Sequence, residues 1–106
     1  MPSSADTTWA ESQDAASLID AILTIGDAAG AERFLRDLCT NRELEEMVAR
    51  WAVVRRLATG DSYRTIHEEI GVSTATVTRI NDWLRNGSGG YAEALERLNS
   101  EPLQLP

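Results

Sequence analysis

The sequence predicts an all-α protein of about six helices, and three observations carry that prediction. Apolar residues recur at i, i+3, i+4 and i+7 through most of the chain. Glycines and capping residues punctuate those runs at helical intervals. No apolar-polar alternation is long enough to make a strand. With 106 residues, 42% of them hydrophobic, the chain has one domain's length. A domain so small buries only about 60–65% of its unfolded surface, so the chain is a candidate to share its core with a partner.

Residues 1–13, rich in Ser, Thr, Ala and Asp, read as a flexible N-terminal tail. The first helix should begin at a cap on Asp14, carry Leu18, Ile19, Ile22 and Leu23, and stop at Gly26. Gly30 then opens a short helix with Phe34, Leu35 and Leu38 on one side. TNRELEEMVARWAVVRRLATG is the clearest helix. Thr40 and Glu43 fit a capping box, Glu43, Glu45 and Glu46 suit its positive end, Arg55 and Arg56 suit the other, and Gly60 closes it. Its stripe of Leu44, Met47, Val48, Trp51, Val54 and Leu57, widened by Ala49 and Val53, is broad enough to meet two surfaces. That stripe is either ordinary core or a helix shared with a second subunit.

Ser62 and Ser73 read as N-caps of two short helices separated by Gly71. The GSGG run at 87–90 breaks the chain before a last short helix with Tyr91, Leu95 and Leu98 on its seam. Residues 100–106 form a second flexible tail in which Pro102 ends any helix. The helical domain is thus placed at 14–99.

Two short helices around a tight glycine turn suggest a helix-turn-helix over 62–85. Where two such helices cross, apolar residues are required, and Ile66, Ile70, Val72, Val77 and Ile80 stand there. The second helix, 73–85, opens with Ser73, Thr74, Ala75 and Thr76, a first turn of hydroxyls and methyls. A recognition helix enters a major groove about 12 Å wide with its N-terminal end against the bases. Bulky side chains there would hold the backbone away; these let it approach. The plainer alternative is a set of merely solvated N-terminal residues, and the nearby Arg64 and Arg79 favour contact. The candidate DNA-binding residues are therefore Ser62, Tyr63, Arg64, His67, Ser73, Thr74, Ala75, Thr76, Thr78 and Arg79.

The charge distribution agrees. The net charge is −7, yet residues 50–85 carry six Arg against four acids, while the flanking segments are acidic. The chain has no lysine; every fixed cation is a guanidinium, suited to bidentate phosphate and guanine contacts.

SYRTIHEEIGVSTATVTRINDWL resembles the helix-turn-helix of the Trp repressor family, most of all in ATVTR. DLCTNRELEEMVARWAVVRRL resembles the family's preceding Thr-capped long helix, and GGYAEALERL the last helix of its YerC/YecD-type members. The resemblance implies an intertwined, all-helical homodimer that docks two reading heads on double-stranded DNA. It also implies a tryptophan corepressor site, with Thr40 and Arg79 at the ligand carboxylate and Arg50 beside the indole. Two positions depart from the pattern. Ile80 replaces a glycine and Trp83 a serine, and both fill space an indole needs. No tryptophan corepressor, and no cofactor of any kind, is expected; Ile80 and Trp83 would serve as a built-in wedge. Whether some other small molecule acts on the chain is left open.

Other chemistries find little support. His67 is the one histidine and Cys39 the one cysteine, so neither a zinc cluster nor an internal disulfide can form, and no nucleophile has a base at a useful spacing. The chain is not expected to be an enzyme. The N-terminus lacks a signal-peptide pattern, no segment reaches membrane-spanning length, and the lone thiol suits a reducing cytoplasm. The expected function is a sequence-specific transcription regulator, a repressor, with cytoplasmic location and no membrane partner. The competing reading is a helical protein-interaction adaptor that binds no DNA by itself.

Overall fold

The computed structural model describes residues 8–99. A 3-10 turn at Thr8–Glu11 leads into six α-helices: α1 Gln13–Leu23, α2 Ala28–Leu38, α3 Asn41–Ala58, α4 Tyr63–Ile70, α5 Thr74–Asn86 and α6 Gly90–Asn99. Among the described residues there is no strand. The all-α reading and its helix number stand. The expected C-terminal tail with Pro102 lies outside the described residues, as do residues 1–7 of the expected N-terminal tail.

The chain divides into two compact units, Met1–Glu46 and Met47–Pro106. In the first, the order begins earlier than the sequence suggests. Ser12, rather than Asp14, caps α1: its Oγ accepts from the Ala15 amide at 3.0 Å. The helix also ends before Gly26, at Thr24, whose hydroxyl donates to the Ala21 carbonyl at 2.7 Å. Gly30 does not open α2 but sits in its first turn, where its amide donates to the Asp27 carboxylate at 2.7 Å. At the two N-termini a side-chain oxygen three residues upstream accepts from a free amide, and at the end of α1 a hydroxyl three residues downstream donates to a free carbonyl; these bonds decide the boundaries. The capping box of α3 forms as expected, with the Glu43 amide donating to Thr40 Oγ1 at 3.1 Å and the Thr40 amide to the Glu43 carboxylate at 2.8 Å.

Ala15 is the one buried residue among those described in this unit. Ile19, Ile22, Leu23 and Leu38 remain exposed, Leu23 to 75%. These helices carry apolar residues that their own unit leaves exposed.

The second unit holds a true core. Val53, Val54 and Leu57 of α3, Ile66 of α4, and Val77 and Ile80 of α5 form one buried cluster. Trp51, Ile70, Val72, Trp83, Leu84, Tyr91 and Leu95 pack around it, so all five aliphatics expected at the crossing lie in or against the core. Trp51 and Tyr91 meet with ring centroids 6.3 Å apart and planes tilted by 47°, which ties α6 to α3. The wide stripe of α3 splits along its length. Its last turns are core, whereas Met47 and Val48 are exposed, Val48 to 69%.

Two glycines set the turns. Gly60, at φ 87°, ends α3 with the Gly60 amide on the Leu57 carbonyl and the Asp61 amide on the Arg56 carbonyl. Gly71, at φ 91°, turns α4 into α5 in the left-handed region that side chains with a Cβ avoid.

Candidate nucleic-acid interface

The short helices α4 and α5 pack directly on each other, and their caps are built alike. Ser62 Oγ accepts from the Thr65 amide at 3.1 Å and its hydroxyl donates to Thr65 Oγ1 at 2.9 Å. Ser73 makes the same pair of bonds with Thr76, at 3.1 and 2.9 Å. Each serine is exposed but spends its hydroxyl on its cap. Thr76 is half-buried, and its Oγ1 also accepts from Arg79 Nη2 at 3.3 Å.

With Val77 and Ile80 held inward, the helical period turns Thr74, Ala75 and Thr78 outward, and all three are exposed. The Thr78 hydroxyl donates to the Thr74 carbonyl at 3.0 Å, so methyl groups dominate what this face presents. Arg79 is exposed at its edge and has no carboxylate partner among the described residues. On α4, Tyr63 is 37% exposed and Arg64 points into solvent, its Nε on Glu68 at 3.1 Å. Such an exposed i,i+4 pair is weak and easily exchanged for another anion.

His67 serves the turn. Its Nδ1 lies 2.6 Å from the Val72 carbonyl, and because a carbonyl can only accept, Nδ1 carries the proton. The imidazole thereby bridges the end of α4 to the residue after Gly71, which an alanine could not do.

The family model described as Trp repressor protein matches residues 13–99. The chain belongs to the Trp repressor family. It is 38% identical over 81 residues to the uncharacterized protein YerC of Bacillus subtilis (strain 168), covering 76% of this chain and 78% of that protein. A solved TrpR-like protein from Eubacterium eligens ATCC 27750 superposes with a TM-score of 0.83 at 34% identity, over 89% of this chain and 97% of the other. A candidate Trp repressor from Staphylococcus aureus gives 0.81 at 32% identity, over 89% and 96%. The Trp repressor fold is that of a non-enzymatic, DNA-binding transcription regulator.

The family's ligand positions have ordinary occupations in this member. Thr40 is exposed and its side chain is engaged in the α3 cap. Arg50 is half-buried on α3 and enters no ion pair among the described residues. Ile80, 1% exposed, is part of the core, and Trp83 packs against it.

One cluster escaped the sequence reading. Arg56 Nε donates to Asp61 at 2.5 Å and Arg56 Nη2 donates to Glu69. The hydrogen bonds it donates to Asp61 first, then to Glu69, raise the guanidinium above its ordinary value. Spacings of five and thirteen residues match no helical face, so only the turn at Gly60 reveals the group.

Among the described residues no helix is long and apolar enough to cross a membrane, and no side-chain cluster could hold a metal.

Proposed function

We propose that this chain is a sequence-specific transcription regulator, a repressor, whose helix 73–85 reads the major groove. It works in the cytoplasm beside its DNA. The observation that carries this is the face of α5: Thr74, Ala75 and Thr78 stand out over an inward-held Val77 and Ile80. Small side chains there allow the helix backbone to approach base edges. Tyr63, Arg64 and Arg79 border that face and supply phosphate contacts, while Ser62 caps α4, Ser73 with Thr76 caps α5, and His67 braces the turn between them. A homodimer would provide two such heads. The uncovered Ile22, Leu23, Leu38 and Val48 support a second copy as their cover. Sedimentation at micromolar concentration should give the dimer mass.

The test is binding to duplexes enriched from a random library, measured across a range of salt. Affinity should fall linearly with salt on logarithmic axes. Arg64→Ala should weaken all sequences alike and reduce that slope by about one. A chain that binds no duplex at low or moderate salt would instead be an adaptor, with its acidic first half as the docking surface.

The regulator is proposed to act without tryptophan. A ligand shifts a conformational equilibrium only by its differential affinity for the two states. Ile80 in the core and Trp83 against it support a filled site that offers an indole little. Calorimetry with millimolar L-tryptophan should give no saturable heat, and operator affinity should not change. A micromolar isotherm lost in Arg79→Ala would restore the corepressor mechanism.

A further inference from the structure

Arg56 lies in the last turn of α3, where the left-handed Gly60 folds the chain back so that the Asp61 amide reaches the Arg56 carbonyl at 3.1 Å. The Arg56 guanidinium closes the same loop from the other side, on the Asp61 carboxylate. Its second arm reaches Glu69, thirteen residues on. Asp61 stands just before the Ser62 cap of α4, and Glu69 is the last residue but one of that helix. One planar group therefore holds both ends of α4, which the fixed fork of arginine suits and a lysine point charge does not.

The clamp addresses a weakness in how α4 is mounted. The helix has eight residues, and Ile66 is the only one fully buried; Ile70 is half-buried. A short helix seated on one core side chain can tilt about it. Tilting α4 would carry Tyr63 and Arg64 with it and disturb the α5 face packed against it. Arg56 and Asp61 are about one-third exposed, so the pair is sheltered, and both arms are already occupied by carboxylates.

We infer that Arg56, with Asp61 and Glu69, is a positioning residue for DNA reading: it fixes the angle of α4 and does not itself touch DNA. The inference rests on the DNA-reading function proposed above. Recognition groups must be held within about 0.5 Å of their productive geometry, which is why such a brace matters to specificity more than to folding.

The experiment compares affinity for duplexes selected by the wild-type protein with affinity for random duplex, in R56Q and E69Q. The two substitutions change net charge in opposite directions, so general attraction to phosphate moves oppositely. The ratio of selected to random affinity should nonetheless fall in both, by about tenfold, the scale of one lost base contact. Helix content and dimer mass should be unchanged, and the salt slope of R56Q should match wild type. If R56Q fails to fold, E69Q keeps the Asp61 bond and carries the test alone. An unchanged ratio, or ratios that move in opposite directions, overturns the inference. So does a slope lower by about one in R56Q, which would make Arg56 a phosphate contact. Wild-type protein that prefers no duplex overturns the DNA reading, and this inference with it.

Discussion

Ile66→Ala is expected to cost about 2–5 kcal/mol, a large share of the roughly 5–15 kcal/mol that holds a typical domain folded. Ile66 is 0% exposed and stands where α3, α4 and α5 meet, among Val53, Val54, Leu57, Val77 and Ile80. Its loss removes the transfer energy of three carbons and leaves a cavity that a core of only six fully or nearly buried side chains cannot collapse around. Because it is the one fully buried side chain of α4, the damage should fall on the helix-turn-helix first. Ile66→Val, which keeps the branched shape, should cost only about 0.5–1.5 kcal/mol. Urea denaturation at one fixed protomer concentration would measure both, since the stability of the proposed dimer would depend on concentration. A loss below about 1 kcal/mol for the alanine variant would mean that the core tolerates the gap and that α4 is held chiefly by its polar bonds.

Much of this architecture was legible in the sequence because it is written in local chemistry. The pairs Thr40/Glu43, Ser62/Thr65 and Ser73/Thr76 are each three residues apart, and each forms the cap that its spacing implies. The aliphatics Ile66, Ile70, Val72, Val77 and Ile80 flank a left-handed Gly71 at the intervals that two crossing helices require. What failed was also local. Asp14 and Gly30 looked like helix openers, but Ser12 and Asp27 lie two or three residues upstream and reach the free amides first. Propensity alone does not rank two neighbouring caps.

Non-local chemistry was beyond reach. Arg56 reads as a last-turn arginine that complements the helix dipole, and nothing in its spacing announces Asp61 and Glu69 as partners. The same limit applies to His67, which reads as a candidate DNA contact, while its hydrogen-bond partner, the Val72 carbonyl, lies across the Gly71 turn. The broad stripe of α3 left core and shared interface undecided. Val53, Val54 and Leu57 fill the chain's own core, while Met47 and Val48 are exposed, so the core reading holds for the last turns of the helix alone.

Ala75→Glu is expected to abolish selective DNA binding while leaving the fold intact. Ser73 is the cap of α5, so Ala75 occupies the second helical position and is exposed. A carboxylate there lies near the positive end of the helix dipole, which favours it by about 0.3–1 kcal/mol, so thermal stability should hold or rise slightly. In the groove the same group is doubly unfavourable. Its length holds the helix backbone off the base edges, and its charge faces phosphates on both sides. Together these should weaken binding to a selected duplex by at least about 100-fold, or roughly 2.7 kcal/mol. Thr74→Leu adds bulk without charge and should cost less, about tenfold, because repulsion is absent. Ala75→Ser, nearly the same size, should bind close to wild type. The opposite signs on stability and affinity are what make the experiment decisive, since a variant that merely unfolded would lose both. An Ala75→Glu protein with a normal melting curve that binds the selected duplex within about threefold of wild type would remove α5 from the groove.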